Sequence, residues 1–570
     1  MGIRWQLACL LLVALAVTAY AFQSGRRSGG RGDGRGGRGG GGGGGGGGGR
    51  GGGGHSGGGG GGSGSREDRI RNPRDKPNFV LFFADDMGYG DLASYGHPTQ
   101  ERGAIDDIMV KGGVRFTQGY VPDTVCTPSR TALLTGRYPV RSGVYSNPGG
   151  TRVFLPWTRS GLPSSELTMA EALQTAGYTT GMAGKWHLGI NNSTRDDGTH
   201  LPMNHGFDFV GHFLPFTNSF ACDDTGRFRD FPDVQKCYLY KRNTIVAQPY
   251  NHTYLSQTFV NDALSFIADN VDNPFFFYFP LAHPHVSLFA SPPFVGSSKR
   301  GEYGDNINEM NDAVGQVLNA LEEHGLAENT LTLFISDHGP QPEYCAHGGD
   351  SGIFKGYKTN TWEGGVRVPF IAYWPGTIEP RESDTVVSTL DILRTLMDLA
   401  GSSLPNDRQY DGDIITDVLL NDAPSPHDTL FYYCKDRLMA ARSGPYKVHF
   451  YTHRVQTQDT FASECTAGGL PSRHYFDCYH CYDGCVTAHN PPLVFNIEND
   501  PKESFALDPN SDSVQQVLAE LQDELENHRT SVIAADPILD DQDPDRDNTP
   551  CCNSGTGCVC NFGPVDGPYN

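Results

Sequence analysis

The chain has 570 residues, 37% of them hydrophobic and 19% charged, with a formal net charge of -22 at pH 7. That length supports a large core divided between a main domain and a smaller one. The acidic balance excludes a nucleic-acid role resting on a broad basic surface, and a polyanionic substrate would have to find a local positive patch.

The chain opens like a secretory signal: Arg4, a short apolar run from Leu7 to Val17, then the small-x-small cleavage pattern Ala19-Tyr20-Ala21. The run is too short to span a bilayer comfortably, and no later stretch is long and apolar enough, so no transmembrane segment is expected. With residues 1–21 removed, the mature protein begins near Phe22 and is expected to be secreted, extracellular rather than lysosomal. Residues 22–75 form a Gly/Arg-rich arm, in which Gly25 to Ser65 is almost pure glycine with scattered arginine and serine. Such a segment cannot offset its ordering entropy by burying apolar surface and is expected to be disordered. Its arginines can bind acidic matrix polymers weakly. Arg31-Gly32-Asp33 has the form of an adhesion tripeptide, although one Asp in an Arg/Gly tract creates it by accident.

Order is expected from Lys76. Asn78 to Ala84 is a continuous apolar run, the pattern of a strand buried on both faces. Similar runs occupy Pro274 to Leu281, Thr330 to Ile335 and Val366 to Trp374, with helical patterns at Glu166 to Thr175, Asp305 to Glu323 and Thr385 to Ala400. This alternation predicts an α/β domain, residues 76–422, around a large, mostly parallel sheet flanked by helices. After about Pro424 short strand-like pieces alternate with turns and cysteines, and a helical pattern follows at Ser513 to Glu526. A smaller antiparallel-sheet subdomain, residues 423–535, is predicted there, with an acidic, cysteine-bearing tail at 536–570.

In open α/β sheets, ligands bind beyond the carboxyl ends of the strands. The residues just past three predicted strands are Asp85-Asp86, His283 with His285, and Asp337-His338. Carboxylates converging at one edge repel unless a cation neutralises them, and oxygen ligands suit calcium or magnesium. Cys126 precedes Pro128, which suits the first turn of a helix, so it stands where helix-terminal amides favour an anionic group. As a plain cysteine it reads equally as half a disulfide or a buried thiol, but neither reading accounts for Arg130 one turn on.

Of 14 cysteines, Cys9 leaves with the signal segment and Cys126 is reserved, leaving 14 − 2 = 12, an even number suited to disulfides in a secreted protein. Cys478-x-x-Cys481-x-x-x-Cys485 has zinc-like spacing, with disulfides the preferred reading. Spacing alone leaves connectivity open. Asn191, Asn192 and Asn251 head glycosylation sequons.

The stretch Cys126-Thr127-Pro128-Ser129-Arg130, followed by Thr131 to Arg137, resembles the signature of the type I, formylglycine-dependent sulfatases. Phe83 to Asp91, Gly184-Lys185-Trp186-His187-Leu188-Gly189, Ser336-Asp337-His338-Gly339 and Lys358 to Pro369 resemble four further motifs of that family. The likeness runs from about Asn78 to Leu507 and is closest to the animal arylsulfatase and steryl-sulfatase branch. Residues 212–250 are polar and charged where a steryl-sulfatase would need a membrane-inserting hairpin, so a soluble form is expected.

The resemblance implies an alkaline-phosphatase-like sulfatase fold and conversion of Cys126 to formylglycine by the formylglycine-generating enzyme. It further implies one cation, calcium rather than magnesium, held by Asp85, Asp86, Asp337, His338 and the oxygen at residue 126. A hydroxyl of the hydrated formylglycine would attack sulfur, with Lys185 and Lys358 clamping the sulfate. His285 would act as general acid and contact the substrate, His187 would help deprotonate the second hydroxyl, and Arg130 would hold the hydrate and neutralise the carboxylates. The family usually shows His-x-Pro after the third strand; counting from Pro274 favours His285 over His283 as general acid, with Ser287 in place of the proline. Two other functions compete. One is a phosphatase or phosphodiesterase of the same superfamily, which would carry Thr or Ser as nucleophile and two metals. The other is a matrix protein that keeps the fold chiefly to bind sulfated polysaccharide.

Overall fold

The computed structural model describes residues 76–216, 237–455, 465, 469, 478–540, 548–561 and 567–569. The predicted signal segment, the Gly/Arg-rich arm with Arg31-Gly32-Asp33, and part of the acidic tail lie outside the described residues.

Asn78–Ala84 is buried along its whole length. It pairs in parallel with Phe275–Pro280 on one side and Thr330–Ser336 on the other. Side chains of a strand alternate between faces. Accordingly Phe79, Leu81 and Phe83 join one core cluster, with Leu133, Leu173 and Leu396. Val80, Phe82 and Ala84 join a second, with Phe259 of the helix Leu255–Asp269 and Met310 and Val314 of the helix Glu302–Glu323. The sheet is therefore the middle of three layers, as a doubly covered apolar strand requires.

Among the described residues this sheet has twelve strands and is mixed. Thr179–Lys185 and Phe209–Leu214 extend the parallel centre. Arg367–Tyr373 instead runs antiparallel to Thr330–Ser336, and Leu239–Lys241 antiparallel to Phe209–Leu214. The expected mostly parallel sheet is thus parallel through five central strands and mixed outside them. The reversal matters for the site. A strand running the other way brings its amino end to the edge where its neighbours bring their carboxyl ends, so the loop before Arg367 arrives beside Asp337. The predicted helix Thr385 to Ala400 also resolves differently: Val387–Ser388 pairs with Gly119 and Tyr120, and the helix is Asp391–Leu399.

A second sheet is four-stranded and antiparallel, formed by Thr429–Cys434, Arg437–Ser443, Tyr446–His453 and Val486–Asn496. The helix Asp512–Ser531 covers it with Val514, Val517, Leu521 and Leu525, whose spacing of three and four residues forms one apolar stripe. Disulfides join Cys345–Cys465, Cys434–Cys481, Cys551–Cys558 and Cys552–Cys560, and Cys237 is also disulfide-bonded. Cys481 spends its sulfur on Cys434, so the zinc alternative at Cys478-x-x-Cys481-x-x-x-Cys485 lacks a thiolate. Cys485 takes no part in a disulfide, so the even set of twelve is not fully paired. No helix among the described residues is long and apolar enough to cross a membrane.

A buried ion network fastens the two sheets together. Glu363 accepts from Lys447 Nζ at 2.7 Å, from Tyr120 Oη at 2.7 Å and from Arg367 Nη1 at 3.2 Å. Burial alone would push the Glu363 carboxyl up, but Lys447 and Arg367 outweigh it and hold it at about 2 against an ordinary 4.5. A carboxylate depressed on folding stabilises above its unfolded pKa, and that stability is lost as pH falls through the folded value. Glu363 thus contributes roughly 3 kcal/mol near neutrality that disappears between about pH 4.5 and pH 2. Glu363→Gln is expected to lower stability at pH 7 and to flatten the stability-versus-pH curve in that window, measured by urea unfolding from pH 7 to pH 2.

Candidate active site

Six segments meet at one edge of the large sheet. Asp85 and Asp86 follow Asn78–Ala84, Asp337 and His338 follow Thr330–Ser336, and His285 follows Phe275–Pro280. Lys185 ends Thr179–Lys185, with His187 two residues on, and Lys358 lies in the loop before Arg367–Tyr373. Cys126 is the first residue of the helix Cys126–Thr135, whose N-cap, Val125, offers no side-chain acceptor. The first-turn N–H groups therefore face the site with their partial positive charge uncapped by a side chain.

The carboxylates and cations interleave. Lys185 Nζ lies 2.6 Å from Asp85 Oδ2 and Lys358 Nζ 2.7 Å from Asp86 Oδ2. Arg130 Nη2 bridges Asp85 Oδ1 at 3.1 Å and Asp337 Oδ2 at 2.9 Å. Cys126 Sγ sits at the centre, 3.8 Å from Asp85 Oδ1, 4.0 Å from Asp86 Oδ1 and 3.5 Å from His338 Nε2. Two ligand-like groups share it: Asp86–Cys126–His338 and Asp85–Cys126–Asp337, each with its donor atoms within 4.8 Å of one another. The three carboxylates and the imidazole around it are a donor set that fits a hard divalent cation.

Burial and neighbouring charge tune these groups against one another. Burial raises Asp85, but Lys185, His285 and Arg130 outweigh it and hold its carboxyl well below the usual range. Asp337 is pushed up to about 7, by burial first and the charge of Asp85 next. For Cys126, burial is overcome by Lys185 and Lys358, which lower the thiol pKa. His285 is lowered to about 3 by burial, and His187 well below its ordinary value by burial, Lys185 and Arg130. Both imidazoles are therefore neutral near pH 7.

Each of the three site histidines anchors one nitrogen on a backbone carbonyl. His338 Nδ1 donates to Gly339 O at 2.9 Å, His285 Nδ1 to Val286 O, and His187 Nε2 to Phe154 O at 3.1 Å. Since a carbonyl only accepts, the anchored nitrogen carries the proton. That leaves His285 Nε2 facing Asp86 Oδ2 at 3.6 Å and His338 Nε2 facing the carboxylates. His187 Nδ1 is buried without a hydrogen-bond partner. His283 is directed elsewhere: its Nε2 meets Ser256 Oγ at 2.7 Å and Glu309 Oε2 at 3.1 Å, while its carbonyl accepts from Asp85 N.

Local backbone geometry explains the wording of the motifs. Asp86 and His187 adopt φ of 61° and 58°, uncommon for residues with side chains and often found at functional sites. The Asp86 amide is held by Asp337 Oδ1 at 3.0 Å. Gly339 and Gly184 leave no room for a Cβ, which would come within 1.9 Å of Gly364 O and Pro280 O. Ser129 donates to Asp337 O at 2.6 Å, and Thr127 to His187 O at 2.9 Å, so the whole signature stitches the site loops together. The buried ion pair Arg152–Asp123 and the aromatic Tyr479 were not anticipated as site residues; a pair 29 positions apart carries no local pattern. Of the sequons, Asn191 is buried with its amide bonded to Arg195 O and Gly198 N, whereas Asn192 is exposed and Asn251 half-buried.

A family model described as Sulfatase matches residues 77–402, and one described as the C-terminal region of aryl-sulfatase matches residues 425–560. The chain is 56% identical over 492 residues to an arylsulfatase of Hemicentrotus pulcherrimus, covering 86% of this chain and 88% of that protein. It is 40% identical over 466 residues to arylsulfatase A of Bos taurus, covering 78% and 85% respectively. The crystal structure of the PsFucS1 sulfatase from Pseudoalteromonas sp. superposes with a TM-score of 0.66 at 27% identity, over 81% of this chain and 92% of that one.

Proposed function

The chain belongs to the sulfatase family and is a sulfuric ester hydrolase of the arylsulfatase type, and from that premise we propose that it is a secreted glycoprotein using a formylglycine made from Cys126 and one bound calcium ion. The observation that carries this reading is the position of Cys126: buried at a helix N-terminus, within 4.0 Å of Asp85, Asp86 and His338, between Lys185 and Lys358. Asp85, Asp86, Asp337, His338 and the residue-126 oxygen would hold the cation, which supplies charge to acidify the attacking hydroxyl. The hydrated aldehyde supplies two hydroxyls on one carbon, one to attack sulfur and one to release sulfate.

This chain's own residues do the rest. Lys185 and Lys358 hold the sulfate oxygens as charge builds on them. His285 takes up a proton at Nε2 as the anionic substrate binds and passes it to the leaving oxygen as the sulfur–oxygen ester bond breaks. Its imidazole is neutral in the free enzyme, and the approaching anion raises its affinity for that proton. His187 Nδ1 accepts the proton of the second hydroxyl, since its Nε2 is committed to Phe154. The balance is ester plus water to alcohol plus sulfate and a proton. Arg130 holds Asp85 and Asp337 in place throughout. The proposed organisation keeps residues 1–21 as signal peptide, 22–75 as an arm that can hold the enzyme on sulfated matrix, 76–422 as catalytic domain, 423–535 as subdomain and 536–570 as tail. Glycans are assigned to the accessible Asn192 and Asn251.

Secreted protein assayed on a chromogenic aryl sulfate is expected to turn over, to lose activity on chelation, and to regain it with calcium better than with magnesium. Turnover of an aryl phosphate in preference to the sulfate, or activity indifferent to chelation, contradicts the reading.

A further inference from the structure

Arg152 has no part in the chemistry above, yet its side chain is only 1% exposed, and that of its partner Asp123 3%. Nη2 donates to Asp123 Oδ1 at 3.0 Å and to Thr124 Oγ1 at 3.2 Å, while Nη1 donates to Thr359 O at 2.9 Å. Thr124 O in turn accepts from Thr359 N at 2.9 Å. One guanidinium thus crosslinks the segment just ahead of Cys126 to the residue just after Lys358.

Thr359 needs that support. Its φ is 82°, in the left-handed region that a β-branched residue rarely enters and keeps only when its surroundings over-determine it. Both its N–H and its carbonyl are bonded into this crosslink. The turn it makes sends Lys358 back toward Asp86, where Nζ lies 2.7 Å from Oδ2. The same arginine reaches the C-terminal region. Its backbone N–H donates to the phenol of Tyr479, its guanidinium lies 5.8 Å from that ring, and Tyr479 in turn senses the charges of Lys358 and Cys126.

We propose that Arg152, fixed by Asp123, is a positioning residue for sulfate-ester hydrolysis: through Thr359 and Thr124 it sets the distance between the Lys358 ammonium and residue 126. The planar fork suits this task, because three acceptors in different directions are met by one rigid group. The proposal rests on the reading of Lys358 as a sulfate-holding residue.

The test compares Arg152→Met, Arg152→Lys, Asp123→Asn and Lys358→Ala, with rates normalised to the fraction of residue 126 converted, measured by mass. Arg152→Met is expected to lower kcat/KM on a chromogenic aryl sulfate by about 10- to 100-fold and to weaken inhibition by inorganic sulfate by about tenfold, as a misplacement near 1 Å does. Arg152→Lys should recover only part of both losses. If Arg152→Met is not secreted, Arg152→Lys and Asp123→Asn carry the test, with the same two readouts expected to fall. The proposal is overturned if the folded, converted variants show only a lower thermal midpoint, with kcat, KM and sulfate inhibition as in the parent. Unchanged KM and sulfate inhibition in Lys358→Ala would instead remove the underlying reading of that lysine, and the proposal with it.

Discussion

Cys126→Ser is expected to stop turnover while leaving the protein folded and secreted. The side chain is nearly isosteric with the thiol, whose sulfur lies 3.8 Å from Asp85 and 4.0 Å from Asp86 in the same polar surroundings. Stability should therefore change by about 1 kcal/mol or less. Chemistry should suffer far more, because removing a hydrolase nucleophile costs up to about a millionfold in kcat. A lone hydroxyl can still accept a sulfo group from the substrate, releasing one equivalent of alcohol. It lacks the second hydroxyl whose deprotonation expels sulfate, so the reaction halts there. A stoichiometric burst followed by silence, with the protein one sulfo group heavier, is the expected record. Cys126→Ala should show no burst, and parent-like turnover in the serine variant contradicts the mechanism.

Arg130→Ala is expected to be the most destabilising single change in the site. The guanidinium is fully buried, bridges Asp85 and Asp337, donates to Lys185 O at 3.3 Å and lies 5.3 Å from the Phe83 ring. Removing it leaves two carboxylates buried with less compensating charge. Breaking a buried pair from one side costs about 3–5 kcal/mol, a large part of the roughly 5–15 kcal/mol that holds a domain folded. Secretion should fall sharply, and any recovered protein should unfold at lower urea. Arg130→Lys keeps the charge but cannot span both carboxylates, so it should fold better than the alanine variant and still lose kcat. Equal secretion of the alanine variant and the parent would show that the cluster does not depend on this bridge.

Much of this was readable from the chain. Asn78–Ala84 runs as predicted because burial on both faces leaves an uninterrupted apolar signature. The residues just past the central strands gather at one edge because parallel strands share a carboxyl end. What local pattern could not supply was direction and partnership. Nothing in Val366 to Trp374 says that the strand runs antiparallel to its neighbour, although that reversal brings Lys358 to the site. Val387–Ser388 is too short to show a period of its own. The choice between His283 and His285 turned on a count along one strand, and the structure places His285 beside Asp86 and His283 against Ser256 and Glu309. Asp123 and Arg152, 29 positions apart, meet only through the fold.

The central claim concerns the chemical identity of residue 126. Mass measurement of the tryptic peptide carrying it, from secreted protein, tests that claim most directly. The account predicts a peptide whose cysteine has become an aldehyde, resistant to thiol alkylation and reactive toward a hydrazide. An alkylatable, unmodified Cys126 in protein that still hydrolyses aryl sulfate at full rate would contradict it.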